Sequence, residues 1–370
     1  MNAFPKNDIM MEALRLTRDG RLVEAMTVLR RALGSVAPPD LAGDLPPNHS
    51  VLRGLVDRAR HFGLAHGLGK APRPAQEPAP GLLPDGASFE ERLYANAAGS
   101  RSYKLYIPSR FRGQAMPLVV MLHGCTQSPD DFAAGTQMNA LAEEQGFFVA
   151  YPAQPPSANV SKCWNWFNRQ DQQRDRGEPS LIAGITRQII AEFPVATGRV
   201  YIAGLSAGGA AAAIMGAAYP DLYAAIGVHS GLACGAARDM ASALAAMRQG
   251  GTPTAERSPL PAGSRTAMPT IVFHGDRDTT VNPINGDQVI AQSKSRTDLK
   301  VTVSRGEAPG GISYTRTVQA DKAGRPILEQ WVLHGAGHAW SGGSNAGSYC
   351  EPRGPDASRA MMRFFQHHPG

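Results

Sequence analysis

Cysteine is scarce, with four residues in 370 and none spaced as C-x-x-C, so a disulfide-stapled scaffold, a zinc ribbon and a thioredoxin-type redox pair are excluded. No apolar run approaches the roughly 18 residues that a membrane-spanning helix needs, so no membrane partner is expected. Basic residues are not clustered either. The 37 Lys and Arg are scattered, and although the net charge is +6, no block offers nucleic acid a concentrated footprint. The N-terminus lacks the uncharged apolar stretch of a secretory signal, because Asp8 and Glu12 stand inside it. By that feature alone the chain is expected in the cytoplasm with reduced thiols. Glycine (40) and proline (29) are plentiful instead, which favours tight turns and extended connections over a helical bundle.

Three textures divide the chain. Over residues 1–36, Leu22, Ala25, Met26, Leu29 and Leu33 recur at helical spacing after an Asp19-Gly20 turn, and Met10, Leu14 and Leu16 form an earlier apolar set. This pattern predicts a helical hairpin, read as a packing or dimerising arm through which the chain forms a homo-oligomer. Residues 37–90 have linker composition, with nine prolines between Ala37 and Pro84. Residues 91–370 alternate short β-rich runs, such as Leu118-Val119-Val120-Met121-Leu122, with helical patterns such as 181–193 and 208–219. Continuous apolar strands alternating with helices predict an α/β fold, a mostly parallel sheet covered on both faces. Functional groups in such a fold gather at the carboxyl ends of the strands.

Those ends carry the chemistry. Val200-Tyr201-Ile202-Ala203 runs into Gly204-Leu205-Ser206-Ala207-Gly208 and then an alanine-rich helix, the strand–turn–helix context that gives G-x-S-x-G its meaning. Ser206 is the candidate nucleophile. A serine hydroxyl needs a base in reach and an acid to orient that base, in the chain order serine, acid, histidine. The strand Thr270–Phe273 ends in His274-Gly275-Asp276-Arg277-Asp278, so either aspartate is a candidate acid. Asp278 is the better placed, since the turn projects it back over the strand end while Asp276 suits the turn itself. His338, in Gly335-Ala336-Gly337-His338-Ala339-Trp340 after the last strand, is the candidate base. His229, His274 and His334 read as hydrogen-bonded structural residues. The amides of Ala207 and of Cys125, in Leu122-His123-Gly124-Cys125-Thr126-Gln127, are the candidate oxyanion donors. Trp164, Trp166 and Trp340 are candidates for lining an apolar substrate cleft.

Four separated motifs, His123-Gly124-Cys125-Thr126-Gln127, Cys163-Trp164-Asn165-Trp166-Phe167, Gly204–Gly208 and Gly337-His338-Ala339-Trp340, agree in order and spacing with one family. Over roughly residues 92–368 the chain resembles the esterase family of polyhydroxybutyrate (PHB) depolymerases, which also includes feruloyl and acetylxylan esterases. The resemblance implies an α/β-hydrolase fold, no cofactor and no metal, and a Ser206–His338–Asp278 triad with Cys125 and Ala207 sharing the oxyanion hole. It also implies a Cys125–Cys163 bridge, which leaves Cys234 and Cys350 as an expected second pair. Most relatives carry a secretory signal, so the resemblance points to the extracellular space where the N-terminus points to the cytoplasm.

The expected function is a serine esterase acting on short 3-hydroxyalkanoate oligomers or polymer. A feruloyl or acetylxylan esterase is the alternative, and a non-catalytic hydrolase-fold scaffold with a partner-binding arm is the reading from a different class. With no polymer-binding module following Gly370 and Phe4 the one aromatic among residues 1–36, soluble oligomers are expected to be cleaved faster than crystalline polymer.

Overall fold

The computed structural model describes residues 83–251, 268–294 and 298–370, all within one unit, Pro72–Gly370. The expected helical arm over 1–36, and the expected linker up to residue 82, lie outside the described residues.

Strands β1 (Ser88–Asn96), β2 (Gly99–Ile107), β3 (Met116–Leu122), β4 (Phe148–Pro152), β5 (Val195–Leu205), β6 (Ala225–His229), β7 (Thr270–Gly275), β8 (Lys300–Glu307), β9 (Ser313–Ala320) and β10 (Pro326–Leu333) form one sheet. Their order is β1-β2-β4-β3-β5-β6-β7-β10-β9-β8. The run from β4 to β10 is parallel throughout, and antiparallel pairs close both edges. Two short strands, β11 (Trp340–Ser341) and β12 (Cys350–Glu351), pair separately.

Burial explains the parallel centre. Phe148-Val149-Ala150-Tyr151 of β4 and Ile271-Val272-Phe273 of β7 have no exposure on either face, as a sheet covered on both sides requires. Each such Val, Ile or Phe side chain lends about 1.5–3 kcal/mol relative to exposure. One face packs under α3 (Gly177–Glu192), α4 (Ala207–Ala218), α5 (Met240–Gln249) and α6 (Ile284–Ser293), through residues such as Ile185, Ile214, Ala246 and Val289. The other packs under α1 (Pro129–Thr136), α2 (Met138–Gln145) and α7 (Ala357–Gln366), through Phe132, Leu141, Met361 and Phe365. This is the mostly parallel α/β architecture that the alternating texture predicts. Among the described residues no helix is long and apolar enough to cross a membrane.

One expected pairing is corrected. Cys125 and Cys163 are bridged, but Cys234 and Cys350 are both free thiols. The physical reason is the sheet itself: Cys234 is buried in the α3–α6 face and Cys350 packs on the α1–α2–α7 face, so the core stands between them.

Candidate active site

The parallel strands β5, β6, β7 and β10 end side by side at Leu205, His229, Gly275 and Leu333, and the candidate groups follow those ends. Ser206 sits between β5 and α4 with φ 57° and ψ −119°, a conformation that costs of order 1–3 kcal/mol in a non-glycine residue. Its amide donates to the His229 carbonyl at 2.9 Å, and its carbonyl accepts from Ala210 N in the first turn of α4. The flanking glycines make the turn feasible, since a Cβ on Gly208 would drive into the Leu122 carbonyl and one on Gly204 into the Gly208 backbone. Gly124 approaches so closely that a Cβ there would lie 3.6 Å from that of Ser206. The structure thus brings the Gly124-Cys125 loop against the serine.

The acid and base meet across two loops. After β7 the chain turns at Gly275–Asp278, and Arg277 N donates to Ala336 O, which ties this turn to the loop carrying His338. Asp278 is buried; its Oδ1 accepts from Thr280 N and Val281 N at 2.9 and 2.8 Å, and its Oδ2 accepts from His338 Nδ1 at 2.7 Å. A carboxylate can only accept, so Nδ1 of His338 carries a hydrogen, and the neutral form of the ring then has its lone pair on Nε2. Burial pushes the Asp278 carboxyl up, but the hydrogen bonds from His274 and His338, the His338 charge and the Val281 amide outweigh it and hold the group well below the usual carboxylate range. Asp276, the other candidate, pairs instead with His334.

A buried histidine stands behind each half of the site. His229 stacks on Phe273 and Trp340, and its Nε2 accepts from Ser341 N at 3.0 Å, three residues beyond His338. Burial first, then His274 and His338, push its pKa down to about 3, so the ring is neutral, and the residue ties the serine turn, through its carbonyl, to the His338 loop, through its ring. His123 accepts from Gln154 N at Nε2 and donates to Gly124 O at 2.8 Å from Nδ1. Burial lowers its pKa to about 4, which keeps that tautomer through neutral pH. Gly124 N donates to Gln127 Oε1, whose amide in turn donates to Asp131. With the bridge from Cys125 to Cys163, these contacts fix the loop that presents the Cys125 amide.

The three tryptophans are a correction to the cleft expectation. Trp164 and Trp340 have no exposed surface and Trp166 only 6 %, so they build the core rather than line an open cleft. Their polar edges explain the placement: Trp164 Nε1 donates to His123 O, and Trp340 Nε1 to Ser358 Oγ. Glu178, which sequence reasoning missed, anchors this region. Its carboxylate accepts from Asn165 N and Nδ2, both at 2.7 Å, and from Gln154, with Arg101 Nη2 at 3.4 Å. Burial, then Asp171, push that carboxyl above its usual range. Gly177-Glu178-Pro179 carries no motif, so composition alone had no signal for it. Among the described residues no group of three or more His, Cys, Asp or Glu is arranged to hold a metal ion.

Comparison with known proteins fits this geometry. The family model described as "Esterase PHB depolymerase" matches residues 101–306. Poly(3-hydroxyalkanoate) depolymerase C of Paucimonas lemoignei is 33% identical over 243 residues, 63% of this chain and 57% of that protein, so the match spans just over half of that relative. Feruloyl esterase B of Thermothelomyces thermophilus is 28% identical over 248 residues, 63% of this chain and 82% of that one. An acetyl xylan esterase from Aspergillus awamori shares the fold at a TM-score of 0.58 and 21% identity, over 76% of this chain and 99% of its own. The parallel sheet, the strained serine turn and a family match over more than half of the sequence agree: the chain belongs to the esterase family of PHB depolymerases, carboxylic ester hydrolases of the α/β-hydrolase fold.

Proposed function

We propose that the chain is a serine esterase that works through an acyl-enzyme on Ser206. The observation that carries this reading is the 2.7 Å contact of His338 Nδ1 with Asp278 Oδ2, on the strand-end edge where Ser206 is held at positive φ. His338 Nε2 takes the hydroxyl proton as Ser206 Oγ attacks the ester carbonyl carbon. The ester C–O bond then breaks, and Nε2 returns that proton to the departing alcohol. Water, deprotonated by the same nitrogen, attacks the acyl carbon; the bond from that carbon to Ser206 Oγ breaks, Nε2 returns the proton to Oγ, and the acid departs. Asp278 orients the imidazole and stabilises its cation. The Cys125 and Ala207 amides stabilise the oxyanion, each of the kind whose loss costs about 10²–10³ in kcat.

The substrate in this reading is a short 3-hydroxyalkanoate oligomer, supported by similarity to the Paucimonas lemoignei depolymerase. A second reading, a feruloyl or acetylxylan esterase, is supported by the similarity to feruloyl esterase B. The test compares kcat/KM on 3-hydroxybutyrate dimers and trimers, amorphous polymer, methyl ferulate and acetylated xylan. Preference for the dimers and trimers is expected; preference for methyl ferulate or xylan selects the second reading. The proposed division has 1–36 as an arm and a linker after it, but the catalytic domain starts before the expected residue 91, because Ser88–Glu90 are already paired to β2 in β1. Deleting residues 1–80 is therefore expected to spare turnover of p-nitrophenyl butyrate, and loss of turnover in a folded truncation contradicts the division.

A further inference from the structure

His338 is not the only histidine on the Asp278 carboxylate. His274, the penultimate residue of β7, is 2 % exposed, and its Nε2 lies 3.4 Å from Asp278 Oδ2, the oxygen that His338 also uses. The same nitrogen lies 2.9 Å from the Val281 carbonyl. A carbonyl only accepts, so Nε2 carries a hydrogen and shares it between Val281 O and Asp278 Oδ2. Val281 also donates its own amide to Asp278 Oδ1. The His274 ring therefore bridges the two ends of the Asp278–Val281 turn and touches the carboxylate that the turn presents.

The other ring nitrogen argues that packing is not the reason for a histidine here. His274 Nδ1 is buried and has no hydrogen-bond partner among the described residues. A buried polar atom left unpaired is costly, and an apolar ring of similar size would avoid that cost. Gly286 of α6 lies against the ring, so closely that a Cβ there would come within 3.1 Å of Nδ1. His229, by contrast, has both ring nitrogens engaged, with Ser341 N and Ser230 Oγ. The histidine at 274 is thus kept for what Nε2 does.

We propose that His274 is a positioning residue that fixes Asp278 for its contact with His338 through a shared Nε2–H bond to Val281 O and Asp278 Oδ2. The inference rests on the proposed Ser206–His338–Asp278 reading.

The test uses the full chain with p-nitrophenyl butyrate. His274→Phe keeps the ring bulk and removes the donor; kcat is expected to fall by about 10- to 100-fold, the range seen when a group that orients a functional ligand is lost. KM should stay within roughly twofold, because substrate binding does not use this residue. His274→Gln retains an N–H at similar reach and should recover kcat to within about threefold of the unmodified protein. In an Asp278→Asn background, His274→Phe should cost nothing further, since the two act as a unit. An undiminished kcat in folded His274→Phe, an unrescued loss in folded His274→Gln, or an additive loss on Asp278→Asn overturns the inference. If the Phe variant does not fold, His274→Met against His274→Gln makes the same comparison. A harmless Asp278→Asn would instead overturn the triad reading, so the two failures are distinguishable.

Discussion

Asp276 and His334 form the same kind of pair as Asp278 and His338, from the same two loops, with Nδ1–Oδ2 contacts of 2.9 and 2.7 Å. Their surroundings differ. The side chains of His334 and Asp276 are 40% and 38% exposed, whereas those of His338 and Asp278 are 13% and 0%. His334 also spends its second nitrogen, since Nε2 contacts Thr315 Oγ1 at 2.9 Å on β9. His338 is set beside Ser341, which His229 links to the serine turn. Contact distance alone therefore does not distinguish a buried Asp–His pair from a surface one. An exposed pair of this kind is worth about 0–1 kcal/mol, while breaking a buried one leaves an uncompensated charge at about 3–5 kcal/mol.

The sharpest way to break the comparison is to remove each histidine. His338→Ala should lower kcat on p-nitrophenyl butyrate by on the order of 10⁴-fold or more with KM little changed, and His334→Ala should leave kcat within about threefold. A crippled His334→Ala protein beside an active His338→Ala protein would reverse the assignment. A smaller effect is expected from the loop beside the serine that carries Cys125. Cys163→Ser opens the bridge to Cys125 and frees the loop carrying its amide, so kcat should fall by about 10- to 100-fold, short of complete loss of an oxyanion donor. Unchanged kcat in the serine variant would mean that the contacts of His123 and Gln127 hold the loop unaided.

The smallest difference is in acid stability. The Asp276 carboxyl, like that of Asp278, is held below its ordinary range: burial raises it, but His334 and the Gly335 amide outweigh that. A depressed carboxyl contributes stability that is in place above its unfolded pKa of about 4 and is lost as pH falls toward the folded value. The contribution of the exposed pair is further screened by salt. Melting temperature measured from pH 6 to pH 2 should therefore drop less steeply in Asp278→Asn than in the unmodified protein. The Asp276→Asn curve should stay close to the unmodified one; equal flattening in both variants would show that burial does not separate the pairs.

The sequence made some of this legible. Gly204-Leu205-Ser206-Ala207-Gly208 after an apolar strand specifies its turn locally, because the glycines are required by backbone approach. The central strands were legible for the same reason that they are buried: each is a continuous apolar run. The edges were not. β8 reads Lys300-Val301-Thr302-Val303-Ser304-Arg305-Gly306-Glu307 and is exposed along nearly its whole length, so it carries no burial pattern to detect. Residues 130–145 read as one helical pattern, but the chain breaks at Gln137, which adopts φ 57° and starts a second helix. Asp276 and Asp278 are two residues apart on one turn, so only the fold shows which one the core encloses. A partner such as Glu178 acts through contacts distant in sequence, to Gln154 and Arg101, which local pattern does not encode.

The central claim is that Ser206 becomes the covalent nucleophile because the buried pair, and not the exposed one, activates it. Reaction with diethyl p-nitrophenyl phosphate, followed by peptide mass mapping and by the rate of p-nitrophenol release, tests this directly. One adduct on Ser206 is predicted, forming at an unchanged rate in Asp276→Asn and about 10³- to 10⁴-fold more slowly in Asp278→Asn. An adduct on another residue, or slow labelling in Asp276→Asn with normal labelling in Asp278→Asn, would contradict the account.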